Sequence, residues 1–137
     1  IAAALGIGNA LQITGIAATL AGGFLDFAGN QPYTALIVTY LVTWVLTEMI
    51  TNNAAAVLVF PFAISTSASL GVDFMPFVMT IMFAASASFS TPIGYQTNLM
   101  VLGPGGYDFK DYIKFGLPLN LVVAGVTIVL VPVVWPF

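Results

Sequence analysis

The sequence has no cysteine and no histidine, and only two basic residues. Without cysteine there is no thiol chemistry, no thiolate metal site and no disulfide framework, and redox compartment leaves no trace. Without histidine the commonest general base and metal ligand is missing. Two lysines cannot make the basic patch that nucleic acid requires, so no nucleic-acid partner is expected. Charge of either sign is scarce: 5% of the 137 residues are charged, with a formal net charge of −3. Soluble domains carry roughly a quarter charged residues. With 60% hydrophobic residues and a mean hydropathy of +1.06, most of this surface is expected to face lipid. An enzyme is not expected, since the one close carboxylate pair, Asp108 and Asp111, lies in a stretch of interfacial character.

What is present is a series of apolar runs divided by short polar clusters. The expected fold class is all-α, a polytopic membrane protein. It comprises a helix over 1–25, a helical hairpin over 33–70, a broken helix over 74–103 and a last helix over 109–135. A crossing takes about 20 residues, so the length suits about four membrane-crossing or membrane-entering segments. The chain opens at Ile1 inside an apolar run, with no Met and no signal-peptide pattern, which suggests a fragment of a longer membrane protein. In the first segment Ala10, Thr14, Ala18 and Gly22 form a small-residue stripe that permits close helix approach. Asn9 and Gln12 share a face there and read as interhelical hydrogen-bonding groups. Asp26 to Pro32 reads as a turn. Pro61 and Pro118 predict kinks. Lys110 and Lys114 both open the last segment, which places that end in the cytoplasm and Asp26 and Asp73 outside.

Two polar clusters interrupt the apolar pattern. A single helix from Thr34 to Leu70 would be about 55 Å long, too long for a bilayer of about 30 Å. The chain must fold back at Thr51-Asn52-Asn53, either as two spans or as a re-entrant hairpin. Three polar side chains behind the Glu48 carboxylate are costly in lipid unless something satisfies them. The plain reading is a capped turn, since Asn and Thr are ordinary cap residues. The second cluster, Ser90 to Asn98, contains Pro92 and Gly94 and predicts a break inside the next helix. Each cluster is the nearest supply of donors and acceptors for the other, so the two are expected to meet.

The run Leu46-Thr47-Glu48-Met49-Ile50-Thr51-Asn52-Asn53-Ala54-Ala55-Ala56 resembles the hairpin signature of the divalent anion:sodium symporter family. This family belongs to the ion transporter superfamily and handles dicarboxylates, citrate and sulfate. Its Ser-Asn-Thr signature is Thr51-Asn52-Asn53 here, and its Gly-Thr-Pro-Pro-Asn loop is Gly94-Tyr95-Gln96-Thr97-Asn98. The resemblance covers nearly the whole chain and matches the second of the family's two inverted repeats. It implies sodium-coupled uptake of a divalent anion by alternating access, in the cell (inner) membrane with several spans. Sodium would be held by Thr51, Asn52 and Gly94. The anion would face Asn52, Asn53, Thr91, Thr97 and Asn98, with Asn98 tying the loop to the hairpin. Pro92, Tyr95 and Gln96 would support the loop. Glu48 would either neutralise a bound cation or, preferably, brace the hairpin. No cofactor beyond Na⁺ is implied. The implied partners are the anion, Na⁺, the bilayer and the missing amino-terminal repeat, and a homodimer is compatible. The departures at Asn53 and at Tyr95 to Thr97 fall on substrate-facing positions. The rival readings are a cation:proton antiporter of the same superfamily, with Glu48 as proton carrier, and a structural membrane subunit.

Overall fold

The computed structural model describes residues 31–137 and, before them, Gly6, Asn9, Ala10, residues 13–16, Thr19 and Gly23. The expectations of a helix over 1–25, its small-residue stripe, the Asn9 and Gln12 pair and the turn at 26–32 rest on residues that lie mostly outside this set. The described residues form helices and connecting loops. In chain order these are α1 (Pro32–Met49), α2 (Asn52–Leu70), α3 (Met75–Ser86), α4 (Gln96–Leu102) and α5 (Phe109–Val134).

Several helix ends have a local cause. Pro32 occupies the first turn of α1, where its missing N–H costs nothing. Thr51 caps α2, and Gly71 ends it in the left-handed conformation (φ 67°), with Val72 N–H reaching back to the Ser67 carbonyl at 3.1 Å. Asp73 Oδ1 accepts from Met75 N–H (2.7 Å) at the start of α3. At the start of α5 Asp111 Oδ2 accepts from Asp108 N–H (2.9 Å). Pro61, Pro118 and Pro132 lie inside α2 and α5, which continue through them. Among the described residues, α2 and α5 are long and apolar enough to cross a membrane. α3 alone, at 12 residues, is about 18 Å long and falls short.

The helices α1, α2 and α3 pack mutually, and α5 lies against α3 and α1. The principal core joins Ala35 and Leu36 of α1, Val59 and Ala63 of α2, Phe77 and Ile81 of α3, and Val131 of α5. A small cavity between α1 and α2 is lined by Thr39, Val42 and Leu46 on one side and Leu58, Val59, Phe62 and Thr66 on the other. The two helices thus run antiparallel, as arms of a hairpin.

The buried faces are not the greasiest ones. The buried face of α1 is Ala35, Leu36, Thr39, Tyr40, Thr43 and Thr47, while Leu41, Val45 and Met49 point outward. On α5, Gly116, Asn120, Ala124 and Thr127 point inward, and Phe115, Leu121, Val126 and Val129 point outward. In water this would be inverted. Against lipid an outward apolar side chain costs nothing, and the interior goes to small and hydrogen-bonding residues.

Candidate functional site

The hairpin turn is shorter than expected. α1 ends at Met49, Ile50 is extended (φ −129°, ψ 175°), and Thr51 is the extended cap of α2 (φ −67°, ψ 149°). Asn52 and Asn53 are therefore not part of the turn but the first two residues of α2. Thr51 Oγ1 accepts from Ala54 N–H at 3.4 Å. Helix geometry leaves the amides of Asn52 and Asn53 without a carbonyl in their own helix, so they face outward.

The second break is displaced in the same way. Helix α3 ends at Ser86, residues 87–95 are non-helical, and α4 starts at Gln96. Gln96, Thr97 and Asn98, expected within the loop, are instead the first turn of α4. The loop closes early because its polar groups find partners on α1. Ser88 Oγ donates to the Thr47 carbonyl (3.1 Å), and Thr91 Oγ1 donates to the Glu48 carbonyl (2.7 Å). Ser90 N–H donates to Glu48 Oε1 (3.0 Å). The carbonyls at the end of α1, which helix geometry leaves free, are thereby satisfied by loop hydroxyls. Thr47, fully buried, closes the set by donating its hydroxyl to the Ala85 carbonyl at 2.8 Å.

This contact depends on Gly94. A Cβ there would overlap Ser88 Oγ and the Thr47 carbonyl oxygen and lie 3.1 Å from Glu48 Cα. Gly94 N–H in turn donates to Thr91 Oγ1 (3.2 Å). Gly116 does the same for α5: a Cβ there would overlap the backbone of Phe89 and sit 2.8 Å from Ser90 Cα.

The two polar clusters thus meet and enclose a cleft of about 430 Å³, lined by Thr51, Asn52, Asn53, Ala54, Gly94, Tyr95 and Gln96. The lining is uncharged. It offers amide and hydroxyl oxygens for a hard cation and the start of α2, with its positive end, for an anion. Three expected anion-facing residues are not in this lining. The Thr91 hydroxyl is committed to Glu48 and Gly94, and Thr97 is exposed. Asn98 Nδ2 donates to the carbonyls of Ser88 (2.9 Å) and Thr91 (3.2 Å). It ties α4 to the loop rather than to the hairpin. Its other side lines a separate, mostly apolar cavity of about 330 Å³ with Phe89 and Tyr112. Tyr112 donates its hydroxyl to the Asn98 carbonyl at 2.8 Å. Pro92, within the loop, is buried.

Sequence reasoning missed Trp44 and Asn120. Trp44 Nε1 donates to Glu48 Oε1 (3.2 Å), one helical turn away. Asn120 Nδ2 donates to Glu48 Oε1 (2.8 Å) and to Ser90 Oγ (2.6 Å), joining α5 to both clusters. The available signal was an amide in an otherwise apolar stretch, since Thr127 is the only other polar side chain from Phe115 to Val134.

Known proteins are similar to this chain. A protein of Synechocystis described as an uncharacterised transporter is 42% identical over 130 residues, 94% of this chain and 21% of that protein. Sodium/sulfate cotransporter 2 of Chlamydomonas reinhardtii is 38% identical over 130 residues, 91% of this chain and 15% of that protein. The sodium-dependent dicarboxylate transporter of Staphylococcus aureus is 26% identical over 132 residues, 96% of this chain and 25% of that protein. The chain therefore spans a quarter or less of these relatives' length. A sequence profile of the citrate transporter family (CitMHS) matches residues 1–136, and the chain belongs to that membrane transporter family.

Proposed function

We propose that the chain is the second of two inverted repeats of a sodium-coupled transporter of divalent anions, a multi-pass protein of the cell's inner membrane. The observation that carries this is the uncharged lining of the cleft at the junction of two helix breaks. A dianion in a low-dielectric site needs positive charge beside it. Among the described residues no Lys or Arg lines the cleft, and a co-transported cation would supply that charge. Thr51 Oγ1, Asn52 Oδ1 and the Gly94 backbone supply oxygen ligands for sodium. The amides of Asn52 and Asn53, with the start of α2, take the anion. Broken helices meeting at one point, each with free backbone groups, are the ion and substrate sites of inverted-repeat transporters. The relatives named for sodium/sulfate and sodium-dependent dicarboxylate transport support sulfate or a dicarboxylate as the anion.

The test uses the complete protein in proteoliposomes. Initial uptake of labelled sulfate and succinate is measured with inward sodium, proton or choline gradients. Uptake of one anion driven by sodium is expected. Asn52→Ala should weaken it roughly 10- to 150-fold in affinity, the worth of one hydrogen bond to a charged group. Uptake indifferent to sodium, or sodium-driven uptake unchanged in Asn52→Ala, would overturn the assignment.

A further inference from the structure

Outside the cleft lining, where both bond Ser90 of the 87–95 loop, Glu48 and Asn120 leave two oxygens without partners among the described residues. Glu48 Oε1 is fully engaged by Trp44 Nε1, Ser90 N–H and Asn120 Nδ2, at 3.2, 3.0 and 2.8 Å. Asn120 is completely buried, and its amide hydrogens go to that carboxylate oxygen and to Ser90 Oγ. The other oxygen of each head group is different. Glu48 Oε2 and Asn120 Oδ1 are both buried, and neither has a hydrogen-bond partner among the described residues. Each is one covalent angle away from an atom of the Asn120–Glu48 hydrogen bond, so the two orphans belong to one pair of head groups. Buried polar atoms nearly always have partners, and each exception calls for an explanation. Two unpartnered acceptors on head groups bonded to each other, one of them a carboxylate, suit a positive charge.

No side chain among the described residues supplies it. The two lysines of the chain, Lys110 and Lys114, are exposed near the start of α5, and Lys114 lies over the Phe115 ring. α2 and α3 carry no charged residue, and Tyr40, one turn beyond Trp44 on α1, packs against Ala84 and Ala124.

We infer that Glu48 Oε2 and Asn120 Oδ1, with Ser90 Oγ beside them, hold one alkali cation at a site separate from the cleft. An all-oxygen donor set selects a hard cation. Valence follows from charge: one positive charge neutralises Glu48, whereas a divalent ion would leave net charge inside the membrane. The site is joined to the cleft by Thr91, which bonds both the Glu48 carbonyl and Gly94 N–H. Occupancy therefore fixes the backbone under the cleft. The two carboxylate oxygens divide the work, Oε1 bracing the loop and Oε2 binding the ion. Its role in transport rests on the sodium-coupled reading above.

Trp44 provides the readout, because its indole N–H bonds the same carboxylate. The purified complete transporter is titrated with sodium chloride against choline chloride at constant ionic strength, with no anion substrate, and tryptophan emission is followed. A saturable change specific to sodium is expected, and it should disappear in Trp44→Phe. Asn120→Leu should move it to roughly tenfold higher sodium or more, the loss expected when an interaction with a charged group is removed. Glu48→Gln is the second variant. It keeps an acceptor at the Oε1 position and places an N–H beside Asn120 Oδ1, so the pair is satisfied without an ion. This variant should fold and show no Trp44 response to sodium. An undiminished response in Glu48→Gln, or an emission change that follows pH but not sodium, would overturn the site. Sodium-driven uptake without a Trp44 signal defeats the site and leaves the coupling intact. A Trp44 signal with sodium-indifferent uptake supports the site and defeats the coupling.

Discussion

The two sides of the 87–95 loop use the same kinds of residue to opposite ends. Away from the cleft the polar groups are engaged: Ser88 and Thr91 donate to α1 carbonyls, Ser90 N–H donates to Glu48, and Asn98 at the start of α4 donates to the loop carbonyls of Ser88 and Thr91. Toward the cleft, the side chains of Asn53, Tyr95 and Gln96 make no hydrogen bond among the described residues, and all three are exposed. Asn52 has one contact, a 3.3 Å approach of the Thr47 hydroxyl, whose hydrogen already serves Ala85 at 2.8 Å. Polar residues in a membrane protein are scaffold where their bonds close internally and site where they do not. The contrast separates the residues whose polar groups hold the loop from those whose polar groups stay open, which the proposed function assigns to solute.

The largest test of this contrast is Gly94, the one residue that serves both sides. Overpacking typically costs about 1–3 kcal/mol even where neighbours can shift. Here the obstacles are the Thr47 carbonyl oxygen and Ser88 Oγ, themselves held in the network. Gly94→Ala should therefore part the loop from the end of α1, abolish uptake and lower the midpoint of thermal unfolding in detergent together. Uptake near the unsubstituted rate would mean that the loop and hairpin do not need this contact.

Next in size is Asn98→Ala. It removes two hydrogen bonds to loop carbonyls, about 1–3 kcal/mol at the usual worth of a neutral bond. Because the amide faces the loop, the unfolding midpoint should fall while the half-saturating anion concentration moves less than in Asn52→Ala. A shift in anion affinity as large as that of Asn52→Ala would put Asn98 back on the cleft and break the division proposed above.

The sequence marks some of this plainly and conceals the rest, for physical reasons. The hairpin is legible because an unbroken helix from Thr34 to Leu70 exceeds the bilayer, and the second break because Pro92 and Gly94 stop a helix. The register of each break is not legible. Whether Asn98 lies in a loop or in the first turn of a helix depends on where α4 starts, and Gln96 is as acceptable in one as in the other. That one choice turned Asn98 from the cleft to the backbone behind it. Inward faces are concealed because lipid does not penalise outward leucine, so apolarity does not mark the core. Asn120 was passed over for the same reason: an isolated amide on an apolar helix has the signature of a helix–helix contact, whatever it touches.

The smallest expected effect belongs to the threonines of α1, and it tests the contrast from the other end. Thr39, Thr43 and Thr47 form a file at four-residue spacing, and all are buried. Thr39 and Thr43 donate to the carbonyls of Ala35 and Thr39 in their own helix, at 2.8 and 2.7 Å. Each such carbonyl already receives its helical N–H, so the hydroxyl is hidden within the helix rather than used to join two elements. Thr47 alone reaches across, to Ala85 on α3. Valine has nearly the same shape and leaves no donor behind. Thr43→Val should therefore change the unfolding midpoint little, by less than about 1 kcal/mol, since both the hydroxyl and its need for a partner are removed together. Thr47→Val should cost more, because it strips the Ala85 carbonyl at the end of α3 of its partner. Comparing the two midpoints in detergent measures how much of the scaffold lies in bonds between elements. Equal losses at Thr43 and Thr47 would show that the file acts through packing alone, and that the hydroxyl network does not distinguish them.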